Sequence, residues 1–424
     1  MANPSHHDPE ATTPTRCRPV RRRVAAAVLA SRPRGLRWIP ALALAIAALL
    51  GSGCGSVLTS GRSVDLRAPA RSSGAAPLQT PPLSGSQDVG TVAMRLLDRS
   101  RPDSSSPSGV RELMVQIWYP AQSVAGYRLA PYVPAKTAGL LERYYRAPNH
   151  AIARLVTRAY AGAPVALGEH PVLIYSPGLG DMRSDDTALL ENLASDGYIV
   201  VAVDHTHEAQ WVQFPGGRMV PWSVPYTVSS PYGSSPAVTK RRVVDVRFVL
   251  DELTRLNQTA RFRGRFNLSQ IGAFGFSLGG STAASAMQLD PRLKAGADLD
   301  GAIHEPALSG GLKQPFMMML DPAAFRKFPP FRTFVRHLRG PHLVLELAKS
   351  KHTAFDDDVW LKQTLHTVAP RVAGTIDPGA ISPDLALAAE STYLNAFFAT
   401  YLSHRPSSLL AEPSPAFPVI TFVR

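Results

Sequence analysis

The sequence predicts an α/β fold in which a mostly parallel central sheet is flanked by helices. Short apolar runs recur at PVLIYS (171–176), YIVVAV (198–203), QIGAF (270–274) and HLVLEL (342–347), and such runs suit strands that are buried on both faces. Segments with helical periodicity lie between them. A G-x-S-x-G pattern at 275–279 also stands directly between a predicted strand and a predicted helix. Alternating strands and helices are typical of a parallel α/β sheet.

Four more runs extend the predicted sheet. TVAMRLL (91–97) and ELMVQIWYP (112–120) come early in the chain, and the second has two alternating sets of side chains, as a strand does. KAGADL (294–299) and PFMMML (315–320) lie between QIGAF and HLVLEL. We find no internal repeat, and the order of the runs predicts a single sheet.

Three segments have the features of helices. Residues 184–197 begin with Ser184, a candidate N-cap, and carry acidic residues in the first turn. Residues 239–257 space six valines and leucines as one helical stripe. Residues 381–402 begin with Ser382-Pro383, a capping residue followed by a proline at the first helical position.

Two further segments depart from this simple alternation. Residues 139–160 mix leucines and tyrosines with arginines, which favours a packed helix pair and leaves an interfacial patch as the alternative. Residues 207–235 form an aromatic-rich insertion, with a hairpin expected around the Pro-Gly-Gly at 215–217. Its rings are expected either to cover the sheet edge as core or to form the wall of an acyl pocket.

The N-terminal part of the chain predicts export. Residues 1–53 contain eight arginines, followed by an apolar stretch from Ile39 to Leu50 that is too short to span a bilayer comfortably. Small residues then lead to Cys54, so the segment resembles a bacterial lipoprotein signal, although Gly51 stands where an aliphatic residue is usual. We expect lipidation at Cys54 and anchoring to a membrane, with an ordinary cleaved signal and secretion as the alternative.

Composition then divides the remainder of the chain in two. Residues 54–88 are rich in Ser, Gly, Pro and Ala, and predict a flexible tether because they offer little apolar surface to bury. Residues 89–424 are expected to form the catalytic domain. Residues 54–424 hold 37 basic and 30 acidic residues, which is +7 of the net charge of +13. These charges are mostly scattered, with short runs such as 240–242, and lack the clusters of a nucleic-acid binder, so a mildly basic, solvated surface is predicted.

The G-x-S-x-G pattern predicts a nucleophile at Ser277. Glycines relieve crowding where a strand turns sharply into a helix, and the serine between them protrudes. The backbone N–H of Leu278 would then face a developing oxyanion at the helix N-terminus. A structural serine in a glycine-rich loop is the alternative, and the small-residue helix after 279 favours the nucleophile.

A serine hydroxyl needs a base to take its proton, which requires a histidine. His352 begins the loop after the last strongly β-like run, HLVLEL, and is the preferred candidate. His304 follows an earlier strand, and His366 lies inside an apparent helix. Both are weaker candidates, because the base of such an enzyme is expected after the final strand.

The residues alone leave the acidic partner of the histidine open. Asp300 ends KAGADL, 23 residues after Ser277, and Asp321 ends PFMMML. Both positions lie at the carboxyl end of a predicted strand, where a catalytic acid is expected. Asp204 follows YIVVAV and is interpreted as a residue that pins a loop by hydrogen bonds.

The catalytic segments resemble those of the platelet-activating factor acetylhydrolase family of α/β-hydrolases. GFSLGG, the 23-residue step to LDG and the later HTAF all match, and the resemblance extends over about residues 90 to 400. It implies an α/β-hydrolase fold. It also implies that Ser277 is the nucleophile, Asp300 the acid and His352 the base, so it favours Asp300 over Asp321.

The same resemblance implies a second oxyanion donor. In the family this is the backbone N–H that follows the glycine of an HGLG-type loop, which here is Leu179 in PGLG (177–180). The sequence departs from the family at Pro177, where a histidine often stands. A proline there leaves the backbone donor in place and changes the wall of the pocket.

Together these features predict a membrane-tethered serine ester hydrolase that needs neither a metal nor an organic cofactor. The family implies short-chain or oxidised phospholipid esters as substrates. A general carboxylesterase or polyester hydrolase is one alternative, and a non-catalytic lipid-binding lipoprotein is another. The acidic run 356–358 beside His352 could attract Ca²⁺, and a solvated loop is the preferred interpretation. The oligomeric state is left open.

Overall fold

A computed structural model describes residues 78–224, 236–368 and 377–423 of the chain. The predicted signal segment 1–53 with Cys54, most of the predicted tether and part of the aromatic insertion lie outside these ranges. The α/β prediction is confirmed. Every strand and each of the three helices predicted above has a counterpart among the described elements.

The described strands and helices alternate along most of the chain. The strands are β1 (Val89–Pro102), β2 (Val110–Pro120), β3 (Leu129–Pro131), β4 (Val156–Ala161), β5 (His170–Ser176), β6 (Ile199–Asp204), β7 (Trp211–Gln213), β8 (Met219–Pro221), β9 (Phe266–Phe276), β10 (Leu293–Leu299), β11 (Phe316–Leu320), β12 (His342–Leu347) and β13 (Ile420–Phe422). The helices are α1 (Ala135–Tyr144), α2 (Thr187–Ser195), α3 (Pro236–Leu256), α4 (Leu278–Leu289), α5 (Ala307–Gly310), α6 (Ala324–Lys327), α7 (Pro329–His337), α8 (Asp358–Val368) and α9 (Pro383–Tyr401).

One large sheet organises the described residues. Its order is β13-β12-β11-β10-β9-β5-β6-β2-β1-β4-β3, and β7 and β8 form a separate hairpin. The six strands from β12 to β6 in this order run parallel, whereas β2 is antiparallel to β6 and β13 is antiparallel to β12. The carboxyl ends of the parallel strands therefore meet at one edge, where open α/β sheets place their sites.

Hydrophobic cores lie on both faces of this sheet. Alternate residues of β5 point to opposite faces, so Leu173 and Tyr175 pack with α2 and α9, whereas Val172 and Ile174 pack with α3 and α4. The predicted stripe of α3 is buried along its whole length. Burial on both faces explains why the central strands read as continuous apolar runs.

The folded unit begins earlier than the predicted boundary at residue 89. Thr80 is fully buried, and its hydroxyl bonds the carboxylate of Glu191 in α2. The backbone N–H of Ser84 donates to Asn192 at 2.7 Å, and that of Gly85 donates to Ser195 at 3.0 Å. The composition of 54–88 missed these contacts because they are polar bonds to one helix and involve little apolar surface.

Two other predictions need correction. Residues 139–160 do not form a helix pair, because β4 occupies their end and pairs with β1 and β3. Ser184 does not cap α2, which begins at Thr187 and has Asp186 in the N-cap position without a side-chain cap. The hairpin around 215–217 is present, with Val212 opposite Val220. Ser382 caps α9 by accepting a hydrogen bond from the Leu385 N–H.

We predict that Glu191→Gln makes stability less dependent on pH. Burial raises the pKa of Glu191 to about 8, whereas an exposed glutamate titrates near 4.3. The folded chain therefore keeps a proton that the unfolded chain releases between about pH 4 and pH 8, so this residue makes the free energy of unfolding fall as pH rises through that range. Glutamine mimics the protonated acid and removes this contribution.

Urea unfolding at pH 5, 7 and 9 measures the effect. The variant should gain most over the wild type at pH 9, where the native carboxylate has lost its proton inside the fold. Glu169→Gln, at an exposed position, is the matched control and should follow the wild type. An unchanged pH slope in Glu191→Gln would contradict the prediction.

Candidate active site

Ser277 occupies a strained turn between a strand and a helix. β9 ends at Phe276, α4 begins at Leu278, and Ser277 between them has φ 54° and ψ −121°. A positive φ is costly for a residue with a Cβ, so the surrounding structure must hold it. The backbone N–H of Ser277 donates to the Leu299 carbonyl at 2.8 Å, which ties the turn to the end of β10. The side chain is only partly buried.

The glycines around Ser277 are required by close backbone approach. A Cβ on Gly279 would lie 1.8 Å from the carbonyl oxygen of Ser176 at the end of β5, and one on Gly280 would lie 1.7 Å from Asp298. No side chain fits at such distances. The turn therefore packs directly against the segment that follows β5, which brings two loops of neighbouring strands together.

His352 reaches this turn from the loop after β12. Its Nε2 lies 3.0 Å from the Ser277 Oγ, and its Nδ1 lies 2.7 Å from the Asp300 Oδ2. The imidazole also packs against the ring of Phe276, with centroids 4.8 Å apart. The two ring nitrogens thus connect a hydroxyl on one side with a carboxylate on the other.

The structure places Asp300, and not Asp321, beside the histidine. Asp300 is fully buried after β10, and its Oδ1 accepts a hydrogen bond from the backbone N–H of Asp321 at 2.9 Å. The carboxylate of Asp321 instead accepts from the N–H groups of Ala323 and Ala324. Burial raises the pKa of Asp300, and the hydrogen bond from His352 opposes that rise.

The two other histidine candidates are described with other surroundings. The backbone N–H of His304 donates to the Ser281 hydroxyl at 2.9 Å, and burial lowers the pKa of its imidazole. His366 is exposed on α8. Neither imidazole is described in contact with Ser277, whose ring partner is His352.

The two predicted oxyanion donors belong to Leu278 in the Ser277 turn and to Leu179 in the loop after β5. Leu278 is the first residue of α4, so its N–H has no acceptor within the helix. Leu179 lies in the segment after β5, and a Cβ on Gly279 would also approach the carbonyl oxygen of Pro177 in that segment, at 2.9 Å. The loop that carries Leu179 therefore lies against the Ser277 turn. Trp222 of the aromatic insertion packs over Gly180, next to Leu179.

Several buried charged residues around this loop were missed or misread in the sequence. Asp204 accepts hydrogen bonds from the backbone N–H and from the guanidinium of Arg183, in agreement with the expected pinning of a loop. Arg242 belongs to the basic run 240–242 of the surface that is predicted to be solvated, yet it is fully buried. Helical spacing carried the signal, since Arg242 stands four and seven residues before Val246 and Val249 of the apolar stripe.

The acidic run 356–358 is not a solvated loop. Asp357 is buried and accepts hydrogen bonds from the Tyr132 hydroxyl at 3.0 Å and the Trp360 indole at 2.7 Å. Asp356 and Asp358, on either side of it, line the same small pocket as Asp181. Burial, and after it the charge of Asp358, raises the pKa of Asp181 to about 7. Within the described ranges, no group of three or more His, Cys, Asp or Glu side chains is arranged to hold a metal ion.

A separate cavity of about 310 Å³ lies under the hairpin of β7 and β8. Its walls include Trp118, Tyr132, Met182 and Trp211, and it is mainly apolar. None of the side chains of the Ser277 arrangement lines it. Among the helices that the structure describes, none is long and apolar enough to span a bilayer.

Comparison with known families matches part of this fold. The family model described as platelet-activating factor acetylhydrolase, isoform II, matches residues 74–214. A probable 1-alkyl-2-acetylglycerophosphocholine esterase of Arthroderma benhamiae is 26% identical over 266 residues, which is 60% of this chain and 66% of the relative. A platelet-activating factor acetylhydrolase of Cavia porcellus is 24% identical over 176 residues, 32% of this chain and 36% of the relative. The matches thus span less than two thirds of these relatives' lengths.

A solved structure extends the likeness over most of the chain. The ferulic acid esterase from Streptomyces cinnamoneus is 34% identical, with a TM-score of 0.71. The match covers 82% of this chain and all of that one. It therefore includes both the sheet and the loops at its carboxyl edge.

We predict that Asp300→Asn and Asp321→Asn have very different effects on ester hydrolysis. An asparagine at 300 cannot hold the imidazole in the required tautomer or stabilise its charged form, so kcat should fall about 10³- to 10⁴-fold. An asparagine at 321 keeps both the backbone N–H that bonds Asp300 and a side-chain oxygen that caps the next turn. Its kcat should stay close to that of the wild type.

Steady-state kinetics on a soluble nitrophenyl ester compares the two variants, with circular dichroism to verify folding. Near-full activity of Asp300→Asn would contradict the assignment of the acid. A large loss in Asp321→Asn at unchanged thermal stability would do the same.

Proposed function

On the premise that this chain belongs to the platelet-activating factor acetylhydrolase-like family of α/β-hydrolases, we propose that it hydrolyses carboxylic esters through an acyl-enzyme on Ser277. The observation that carries the proposal is the continuous hydrogen-bonded chain from the Ser277 Oγ through His352 to Asp300. A buried carboxylate, an imidazole and a partly exposed hydroxyl in this order can activate the hydroxyl at neutral pH.

The proposed reaction has two halves. The Nε2 of His352 takes the proton of Ser277 as the Oγ attacks the ester carbonyl carbon, and the N–H groups of Leu179 and Leu278 stabilise the negative charge that develops on the carbonyl oxygen. His352 then gives the proton to the leaving alkoxide. In the second half it removes a proton from water, which attacks the acyl carbon. The bond between that carbon and the Ser277 Oγ then breaks, His352 returns the proton to the Oγ, and the carboxylic acid leaves. Asp300 stabilises the imidazolium in both halves.

For the substrate we propose short-chain or oxidised acyl esters of phospholipids. The proposal is supported by the family model and by the relatives named as acetylglycerophosphocholine esterase and platelet-activating factor acetylhydrolase. It is also supported by an aromatic pair at the surface, in which exposed Tyr144 packs edge-on against Trp211. Amphipathic aromatic side chains suit contact with a lipid interface.

The second candidate is a carboxylesterase that acts on soluble esters. It is favoured by one observation, namely that the ferulic acid esterase matches the whole catalytic unit at 34% identity. Both candidates use the same catalytic side chains. They differ in whether the ester is presented by a lipid surface or by solution.

For localisation we propose export and anchoring through a lipid on Cys54. The support is the sequence pattern alone, because Cys54 lies outside the described residues. Such an anchor would hold the enzyme at a membrane surface, which agrees with a phospholipid substrate. Secretion after ordinary cleavage is the alternative.

We predict that a fluorophosphonate probe labels the wild-type chain and that Ser277→Ala abolishes both labelling and hydrolysis. The probe reacts only with an activated serine, and alanine removes the nucleophile without adding volume. Gel fluorescence measures labelling, and Ser123→Ala, which changes an exposed serine in the loop after β2, is the control that should keep it. A folded wild-type chain that is not labelled would favour the non-catalytic lipid binder.

We also predict that phospholipids with a short sn-2 acyl chain, presented in vesicles, are hydrolysed with a higher kcat/KM than methyl ferulate or a nitrophenyl ester. A lipid surface concentrates both the substrate and the proposed anchor. Titration of released acid measures all three reactions on one scale. A preference for the soluble esters would favour the second candidate, and both outcomes require the same Ser277.

A further inference from the structure

The direction of the Leu179 N–H is set by the carbonyl that precedes it. The N–H of Leu179 and the C=O of Gly178 belong to one planar peptide unit, and in a trans peptide they point in opposite directions. Any group that holds the Gly178 oxygen therefore aims the Leu179 N–H to the other side. The unit rotates about ψ of residue 178 and φ of residue 179, and glycine at 178 would otherwise lower the steric cost of that rotation.

Arg242 is the side chain that binds this oxygen, which also accepts the backbone N–H of Asp181 at 3.4 Å. Its Nη2 donates to the Gly178 carbonyl at 3.0 Å, and its Nη1 donates to the Pro177 carbonyl at 2.6 Å. The side chain is fully buried, and it projects from α3, an element separate from both loops of the site. A planar guanidinium fixes two acceptors at once, which the single ammonium of a lysine cannot do with the same geometry.

The charge of Arg242 is balanced away from the loop. Its Nε donates to Glu208 Oε2 at 2.9 Å, and Glu208 is itself buried. The neighbouring Arg241 donates to Glu208 Oε1 at the same distance, but it is largely exposed and has no described contact with the loop. A buried charge needs such a partner, so Glu208 makes it possible to keep a guanidinium under the loop.

The rest of the loop is held by independent contacts. The Ser176 hydroxyl lies 3.3 Å from His205 Nε2, and the Gly180 carbonyl accepts from the Gln210 N–H at 2.7 Å. These contacts fix the two ends of the loop, whereas Arg242 binds its middle. The peptide unit that carries the oxyanion donor is thus held by Arg242 at 3.0 Å and, less closely, by the Asp181 N–H at 3.4 Å.

We propose that Arg242 is a positioning residue for the oxyanion hole, which keeps the Leu179 N–H aimed at the carbonyl oxygen of the substrate. The inference rests on the proposed function, since it gives Leu179 a role only if Ser277 attacks an ester. Arg242 touches neither the substrate nor the reacting atoms. It acts by preventing rotation of the Gly178–Leu179 peptide.

The role predicts a specific kinetic signature for Arg242→Lys. This variant keeps the positive charge beside Glu208 and loses the planar guanidinium that binds two carbonyl oxygens at once. Loss of one oxyanion donor typically lowers kcat about 10²- to 10³-fold. We expect at least a tenfold fall in kcat for Arg242→Lys, with KM changed by less than a factor of about three, because the ground-state ester does not depend on that donor. Arg241→Lys is the matched control and should behave as the wild type.

Two further readouts separate positioning from general stability. A boronic acid forms a tetrahedral adduct with the serine, so its inhibition constant should weaken in parallel with kcat in Arg242→Lys. Arg242→Ala should lose more activity and recover part of it when guanidinium is added at non-denaturing, millimolar concentrations. If Arg242→Ala does not fold, Arg242→Lys with the boronic acid decides the question alone.

The outcomes distinguish this inference from the proposed function. If the wild type hydrolyses esters and is labelled at Ser277, but Arg242→Lys keeps kcat and boronic acid affinity within about twofold, the positioning role is overturned. A loss of activity that only follows the loss of folded protein overturns it as well. If the wild type itself is neither active nor labelled, the proposed function fails and the role of Arg242 falls with it.

Discussion

The site depends on a close backbone approach between the segment after β5 and the Ser277 turn after β9. These strands are neighbours in the parallel sheet, so their loops leave the same edge and meet there. Gly279 permits the contact, since any side chain at that position would overlap the Ser176 carbonyl. Because the turn is held from this side and by the Leu299 carbonyl, Ser277 keeps a positive φ that an isolated turn would not adopt.

Two buried charged side chains, Asp300 and Arg242, contribute to the geometry of the site together with this backbone contact. The carboxylate of Asp300 is buried away from water, and its two oxygens accept hydrogen bonds from His352 and from the backbone N–H of Asp321. Arg242 is likewise removed from water and satisfied by Glu208 and two loop carbonyls. Removing each charge from water costs free energy, and the hydrogen bonds that offset this cost also orient a neighbouring group. For Asp300 that group is the imidazole of His352, and for Arg242 it is the peptide unit between Gly178 and Leu179. Polar side chains that look structural thereby control reactive geometry.

Membership of the family accounts for the catalytic segments and leaves the surroundings to this chain. Pro177 stands where the family often has a histidine, and a proline offers neither a side-chain donor nor a backbone N–H. In this chain the loop is supported by Arg242, which donates a hydrogen bond to the carbonyl oxygen of Pro177. On the same loop, Trp222 of the aromatic insertion packs over Gly180.

The sequence by itself determined the α/β alternation, the strand runs, the serine turn and His352, because each depends on local pattern and spacing. It left Asp300 and Asp321 open, since both end parallel strands and only family likeness favoured one. Tertiary structure decided that choice, together with the buried state of Arg242, the contacts of Thr80 and Ser84 with α2 and the conversion of part of 139–160 into β4. These features depend on contacts between residues far apart in the chain, which local periodicity does not record.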